Sequence, residues 1–376
     1  MSDVLIHSYL DETGTEVAAQ LPQDVSAGAC APETAEQLRQ IAVSYMYQMA
    51  KVVWTADKLI DYSFNDKSLV YEPGKTYVGM IYNNCRNGFE AFCKALDENG
   101  VYKLEDTGWD TAPGNSCATS IKHAWQMISP DVEYQYSVDM MPYYKDTGVL
   151  PVGRINWDLY DGKNTTNSVL KNTDKNDILE AYALARPADG FMRYLDKGGH
   201  ALMVTLPPVV VRDTDGYIKP EESFVFLTDQ NNKMNTLREY PSSWKVDHKV
   251  SFEKAYTDGW LPVTVKELCQ GNAPAPVFEV TKQPTAASLQ AGYGLMGNVR
   301  CNYCIMTLRG ELRREDAEGE QLLVVEQHPY KREVSLHGLN EQLALDALSG
   351  GTFHLSVKAG VGLGSQTLFE VVFSKK

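Results

Sequence analysis

Apolar residues recur at helical spacing along two stretches of the chain. In the first, Leu38, Ile41, Ala42, Tyr45, Met46, Met49 and Val52 or Val53 mark one face of a helix. Pro32-Glu33-Thr34 opens it, and the pattern carries it up to Trp54. In the second, Ile121, Ala124, Trp125 and Ile128 follow Gly114-Asn115-Ser116-Cys117, with a turn at Gly114 and a favoured N-cap at Ser116. Weaker helical signals lie near 87–96 and 177–185, the latter with Asp174 or Asp177 as cap. An apolar segment, Tyr77-Val78-Gly79-Met80-Ile81-Tyr82, follows a loop over 55–75 that carries the turn pairs Asn65-Asp66 and Pro73-Gly74. Lys197-Gly198-Gly199 reads as a tight turn into the strand His200-Ala201-Leu202-Met203-Val204-Thr205. Asp213-Thr214-Asp215-Gly216 is a hairpin turn, and 223–230 is the next main strand. A helix followed by a run of antiparallel strands predicts an α+β domain.

The pattern changes after Val265. Pro274-Ala275-Pro276 is linker-like, and short alternating runs follow at 277–280, 302–308, 321–325, 352–357 and 368–373. Turns separate them, as in a β-sandwich of about 100 residues. Residues 339–348 fit one short helix, and 309–318, dense in both charge signs, a solvated hairpin. The chain therefore divides into an irregular lead-in over 1–32, an α+β domain over 33–270 and an all-β domain over 275–376. A length of 376 residues gives each domain an ample core. A net charge of −14 argues against nucleic-acid or anionic-membrane partners. No apolar run reaches transmembrane length. Met1-Ser2-Asp3-Val4-Leu5-Ile6-His7 lacks a basic and then apolar leader, so no signal peptide is expected in this chain. The seven cysteines, at 30, 85, 93, 117, 269, 301 and 304, are odd in number and scattered, which favours reduced thiols. The one close pair, Cys301 and Cys304, lacks the second pair or histidines that zinc requires, and reads as two strand cysteines.

Cys117 changes the picture. It sits in the first turn of a half-buried helix, where free backbone N–H groups and the helix dipole favour a thiolate. The same N–H groups suit an oxyanion. A thiol nucleophile also needs a histidine from elsewhere in the chain. His123 lies six residues along the helix, about 600° around it, and faces away from Cys117. His200 follows two glycines that admit close approach and opens an apolar strand. His7, His248, His328, His337 and His354 have no comparable setting. The strand after His200 ends in Asp229-Gln230, whose side chains point to opposite faces. Electrostatics favours Asp229 behind an imidazolium, while a thiolate–imidazolium pair also tolerates the neutral amide of Gln230.

A cysteine at a helix start, then Gly-His on a strand, then a polar residue on the following strand resembles the papain-like cysteine peptidases. The details are similar to the NlpC-type bacterial cell-wall peptidases and amidases. Tyr77–Tyr82 resembles their Tyr/Gly segment, and Gly114-Asn115-Ser116-Cys117-Ala118 their Asn-Asp-Cys-Ser signature. Pro187-Ala188-Asp189-Gly190 resembles their Pro-Gly-Asp turn, and Gly199-His200-Ala201-Leu202-Met203-Val204 their histidine strand. The match covers roughly residues 35–265. The resemblance implies a papain-like domain followed by an immunoglobulin-like sandwich, and hydrolysis of peptidoglycan peptides through a thioacyl-enzyme. It needs no metal or organic cofactor. Cys117 would be the nucleophile, His200 the proton carrier and Tyr82 the tyrosine beside the oxyanion site. The family's third group is usually His, Asn or Gln, which favours Gln230 over Asp229. Ser116 stands where the family has an Asp that helps bind a muropeptide amine, and Ala118 replaces its Ser. The family setting implies the cell envelope or secretion; the chain by itself fits the cytoplasm. Two alternatives stand beside this reading. One is a transglutaminase-like acyl transferase, with Asp229 as third group. The other is a decayed domain that binds wall material or a protein.

Overall fold

The computed structural model describes residues 35–64, 68–86, 88–103, 105–132, 137, 139–142, 148–156, 165–195, 198–236, 239–315, 321–329 and 331–375. It also describes the paired strands Tyr9–Leu10 and Glu16–Val17. The rest of the lead-in expected over 1–32, the turn pair at 65–66, Lys197 and residues 316–318 lie outside the described residues. The architecture is mixed α+β, with mainly antiparallel sheets. The described chain divides into two compact units, one ending at Gly271 and the other beginning at Asn272.

In the first unit, helix α1 (Ala35–Lys51) stops short of the expected Trp54. Val53–Ala56 is instead a strand paired with Thr76–Val78. The β-branched run Val52, Val53 and Thr55 resists the helix and suits the pleat. Trp54 is buried there among Tyr71, Tyr77, Phe92 and Tyr102, and its indole N–H donates to Gly79 O at 2.8 Å. Gly79 has φ +81°, and a Cβ on it would lie 2.2 Å from the Trp244 ring. No other residue fits that turn, and it redirects the chain toward Tyr82.

Helix α2 (Cys117–Gln126) carries the expected apolar stripe, with Ile121, Ala124 and Trp125 fully buried. Trp125 Nε1 donates to Ala188 O at 2.7 Å, fastening α2 to the turn before the sheet. That turn is rigid. Asp189 is buried, pairs with Arg39 at 2.8 Å, and accepts from Thr264 Oγ1 at 2.6 Å and from Arg186 N at 2.8 Å. Helix α3 (Lys175–Leu184) is capped by Asp174, which accepts from Asn176 N at 2.8 Å.

The sheet has six antiparallel strands: β1 (Val149–Pro151), β2 (Gly190–Leu195), β3 (Gly198–Val209), β4 (Phe224–Asn235), β5 (Ser242–Ser251) and β6 (Leu261–Val265). Their order is β5-β4-β3-β2-β6-β1. Phe191, Leu202, Val225, Leu227 and Leu261 build a core with Ile178, Leu179 and Tyr182 of α3. Side chains alternate along a strand, so Arg193 shares a face with Phe191, His200 with Leu202, and Asp229 with Leu227. The apolar face thus runs out into a polar row where β2, β3 and β4 approach the site.

The second unit holds two antiparallel sheets. One has three strands, β7 (Phe278–Val280), β8 (Asn298–Ile305) and β11 (Lys331–Ser335), in the order β7-β8-β11. The other has four strands: β9 (Thr307–Glu315), β10 (Gln321–Gln327), β12 (Gly351–Val361) and β13 (Gly364–Lys375), in the order β10-β9-β12-β13. Tyr303, Ile305, Leu308, Leu339, Leu355 and Val357 are buried among its apolar side chains. The helix expected over 339–348 is a helix at His337–Gln342 and a 3₁₀ turn at Leu345–Ala347, separated by Ala344 at φ +48°. β10 is an edge strand with Leu322, Leu323 and Val324 exposed. Among the described residues, no helix is long and apolar enough to cross a membrane.

Candidate active site

The segment before Cys117 runs alongside 81–83. Asn115 N donates to Ile81 O at 3.0 Å, and Asn83 N to Asn115 O at 2.8 Å. A Cβ at Gly114 would come within 2.7 Å of Ile81 O and the Asn83 amide, so only glycine permits this approach. Ser116 then starts α2 from an extended conformation, its N–H donating to Thr119 Oγ1 at 2.8 Å. Cys117 occupies the first turn, where helical N–H groups have no carbonyl within the helix to bond.

Three groups act on its ionisation. The His200 ring and the Ala201 N–H favour the thiolate, and the Cys117 charge in turn keeps the Tyr82 hydroxyl protonated. His200 Nε2 lies 2.9 Å from Asp229 Oδ2, which leaves Nδ1 for the thiol. Cys117, His200, Asp229 and Tyr82 are therefore brought together. Gln230 is not. It is fully buried, and its Nε2 donates to Met80 O at 2.7 Å, on the face opposite Asp229. The expected preference for Gln230 is corrected in its placement: Asp229, not Gln230, lies against the His200 ring. His123 faces away from the sulfur, its Nε2 3.3 Å from Arg86 O.

The electrostatics follow from burial against charge. Burial alone would push the Cys117 thiol up, but the His200 charge and hydrogen bond outweigh it, and the pKa falls below the ordinary thiol value. Burial likewise opposes the His200 imidazolium, yet the Cys117 charge and the Asp229 hydrogen bond lift it to about 10. Asp229 is held below the usual carboxylate range because its bond to His200 and that ring's charge overcome its burial. Tyr82 is pushed far up, by burial first and then by the Cys117 charge, so it stays a neutral donor.

Sequence reasoning missed three neighbours. His248 on β5 places Nδ1 3.5 Å from Asp229 Oδ1, so one carboxylate stands between two imidazoles. Trp260 packs on the His200 ring, with centroids 5.7 Å apart. Arg193 lies over the face of Trp260 at 4.6 Å. The signal for His248 was hidden because β5 bulges where Asp247, at φ +49°, interrupts the alternation. Among the described residues, no three His, Cys, Asp or Glu side chains converge as metal ligands would. The chain matches no family model and none of the curated proteins.

Proposed function

We propose that the chain is a cysteine hydrolase that cleaves amide bonds in cell-wall peptides, with a papain-like, NlpC-type first unit and an immunoglobulin-like second unit. One observation carries the chemistry: an imidazole held 2.9 Å from a buried carboxylate lowers the pKa of a thiol in the first turn of a helix. The substrate class rests on the motif resemblance. The Cys117 thiolate attacks the carbonyl carbon, and the N–H of Cys117 with the Tyr82 hydroxyl receives the oxyanion. The C–N bond breaks as His200 delivers its proton to the departing amine. Water then attacks the thioester while His200 takes up a proton, and the acid is released. Asp229 holds the ring throughout. Such a protein would act at the cell envelope or beyond it.

Cys117→Ala removes the nucleophile and should lower kcat/KM on cell-wall peptides by at least about 10⁴-fold, with the thermal transition unchanged. Turnover that survives this substitution in a folded protein would refute the proposal. Asp229 as the third group favours a second reading, acyl transfer to an amine by a transglutaminase-like route. Mass spectrometry of products formed with an added primary amine separates the two. Free acid means hydrolysis, and amide product means transfer.

A further inference from the structure

Three side chains adjoin one another, on two neighbouring strands and at the residue before a third. His200 of β3 is directly opposite Arg193 of β2, and Met192 opposite Leu261 puts Trp260 beside Arg193 on the other flank. Trp260 is nearly buried and touches both of the others, with the guanidinium over its face and the His200 ring against it. Arg193 is half-buried. Its side chain makes one hydrogen bond to described residues, donating to Asp258 O at 3.3 Å, and no ion pair with them. None of its nitrogens is a fully buried atom without a partner among the described residues. Acidic residues outnumber basic ones 49 to 35, and Arg39 and Arg212 each have a carboxylate. Arg193, the arginine beside the candidate nucleophile's histidine, has none among the described residues.

We infer that Arg193 is a specificity-determining residue that holds a free carboxylate on the departing half of the substrate. The inference rests on the hydrolase reading of the same site. A guanidinium presents a planar fork matched to a carboxylate, and packing on Trp260 fixes that fork before substrate arrives. The departing nitrogen must meet His200 to receive its proton, so the departing half lies on the imidazole side, where Arg193 stands. We assign the acyl half to the aromatic side of the site, where Tyr82, Trp109 and exposed Phe64 form a chain of rings 5.9 and 5.3 Å apart. The substrate class is an amide whose amine product carries its own carboxylate.

The test uses the full chain and two reagents of one shape, N-iodoacetylglycine and its carboxamide. Alkylation of Cys117 is followed by mass spectrometry of the labelled peptide. The wild type should react faster with the acid, and Arg193→Gln should cut the acid-to-carboxamide rate ratio at least fivefold, with Arg193→Lys keeping part of it. An unchanged ratio in folded Arg193→Gln overturns the inference. So does an equal loss with both reagents, because that reports only lost packing on Trp260. If Arg193→Gln fails to fold, Arg193→Met keeps a chain against the indole and is read the same way. Rapid alkylation without cleavage of any amide would overturn the hydrolase reading and still leave the ratio to decide on Arg193.

Discussion

The proton between Cys117 and His200 belongs to the nitrogen over a wide pH range. Thiolate and imidazolium coexist from the depressed pKa of Cys117 up to about 10, where His200 loses its proton. Activity should therefore rise through the acid limb set by the thiol and fall on an alkaline limb near 10. Asp229 raises His200 through its hydrogen bond and charge. Asp229→Asn removes the charge, so the alkaline limb should move to lower pH while the maximum rate drops. A pH–rate profile of both proteins checks this, and an unmoved alkaline limb would contradict the assignment of Asp229. The folded pKa of Asp229 is lowered, so its contribution to stability is present above the ordinary carboxylate pKa of about 4 and fades as pH falls.

At the level of elements, α1 is bolted to the turn before β2 by the Arg39–Asp189 pair, with both side chains about 95% buried or more. Asp189→Ala would strand the guanidinium in the interior and should cost about 3–5 kcal/mol, measurable by urea unfolding. α2, β3 and the start of β4 were legible in the sequence because each has a strong local signal: a stripe ending in Trp125, two glycines before His200, and a run closing on Asp229-Gln230. The end of α1 was not, because the apolar period continues through Val52 and Trp54 while pairing with Thr76–Val78 decides the conformation. β1, β5 and β6 were not read either. β1 pairs over only Val149–Pro151, β5 bulges, and β6 gains its identity from β2 alongside it. Choosing Asp229 over Gln230 needed the sheet itself, since neighbours in sequence differ only in which face they meet.

Across the whole molecule, every residue of the candidate site, from Tyr82 to Trp260, belongs to the first unit, and the second has an interior of its own. The two-part division was readable from the linker-like Pro274-Ala275-Pro276 and the shift to short strands. What the second unit shows outward is less ordinary. The β10 edge offers Leu322, Leu323 and Val324 to solvent beside backbone groups that no described strand pairs. Such an edge is a template for another chain. Concentrated stocks should consequently scatter more light with time, and Val324→Lys should slow that clouding without touching thiol chemistry; equal clouding would acquit this strand. For anyone handling the protein, the practical hazard lies in the bottle, at a rim of three greasy side chains far along the chain from its sulfur.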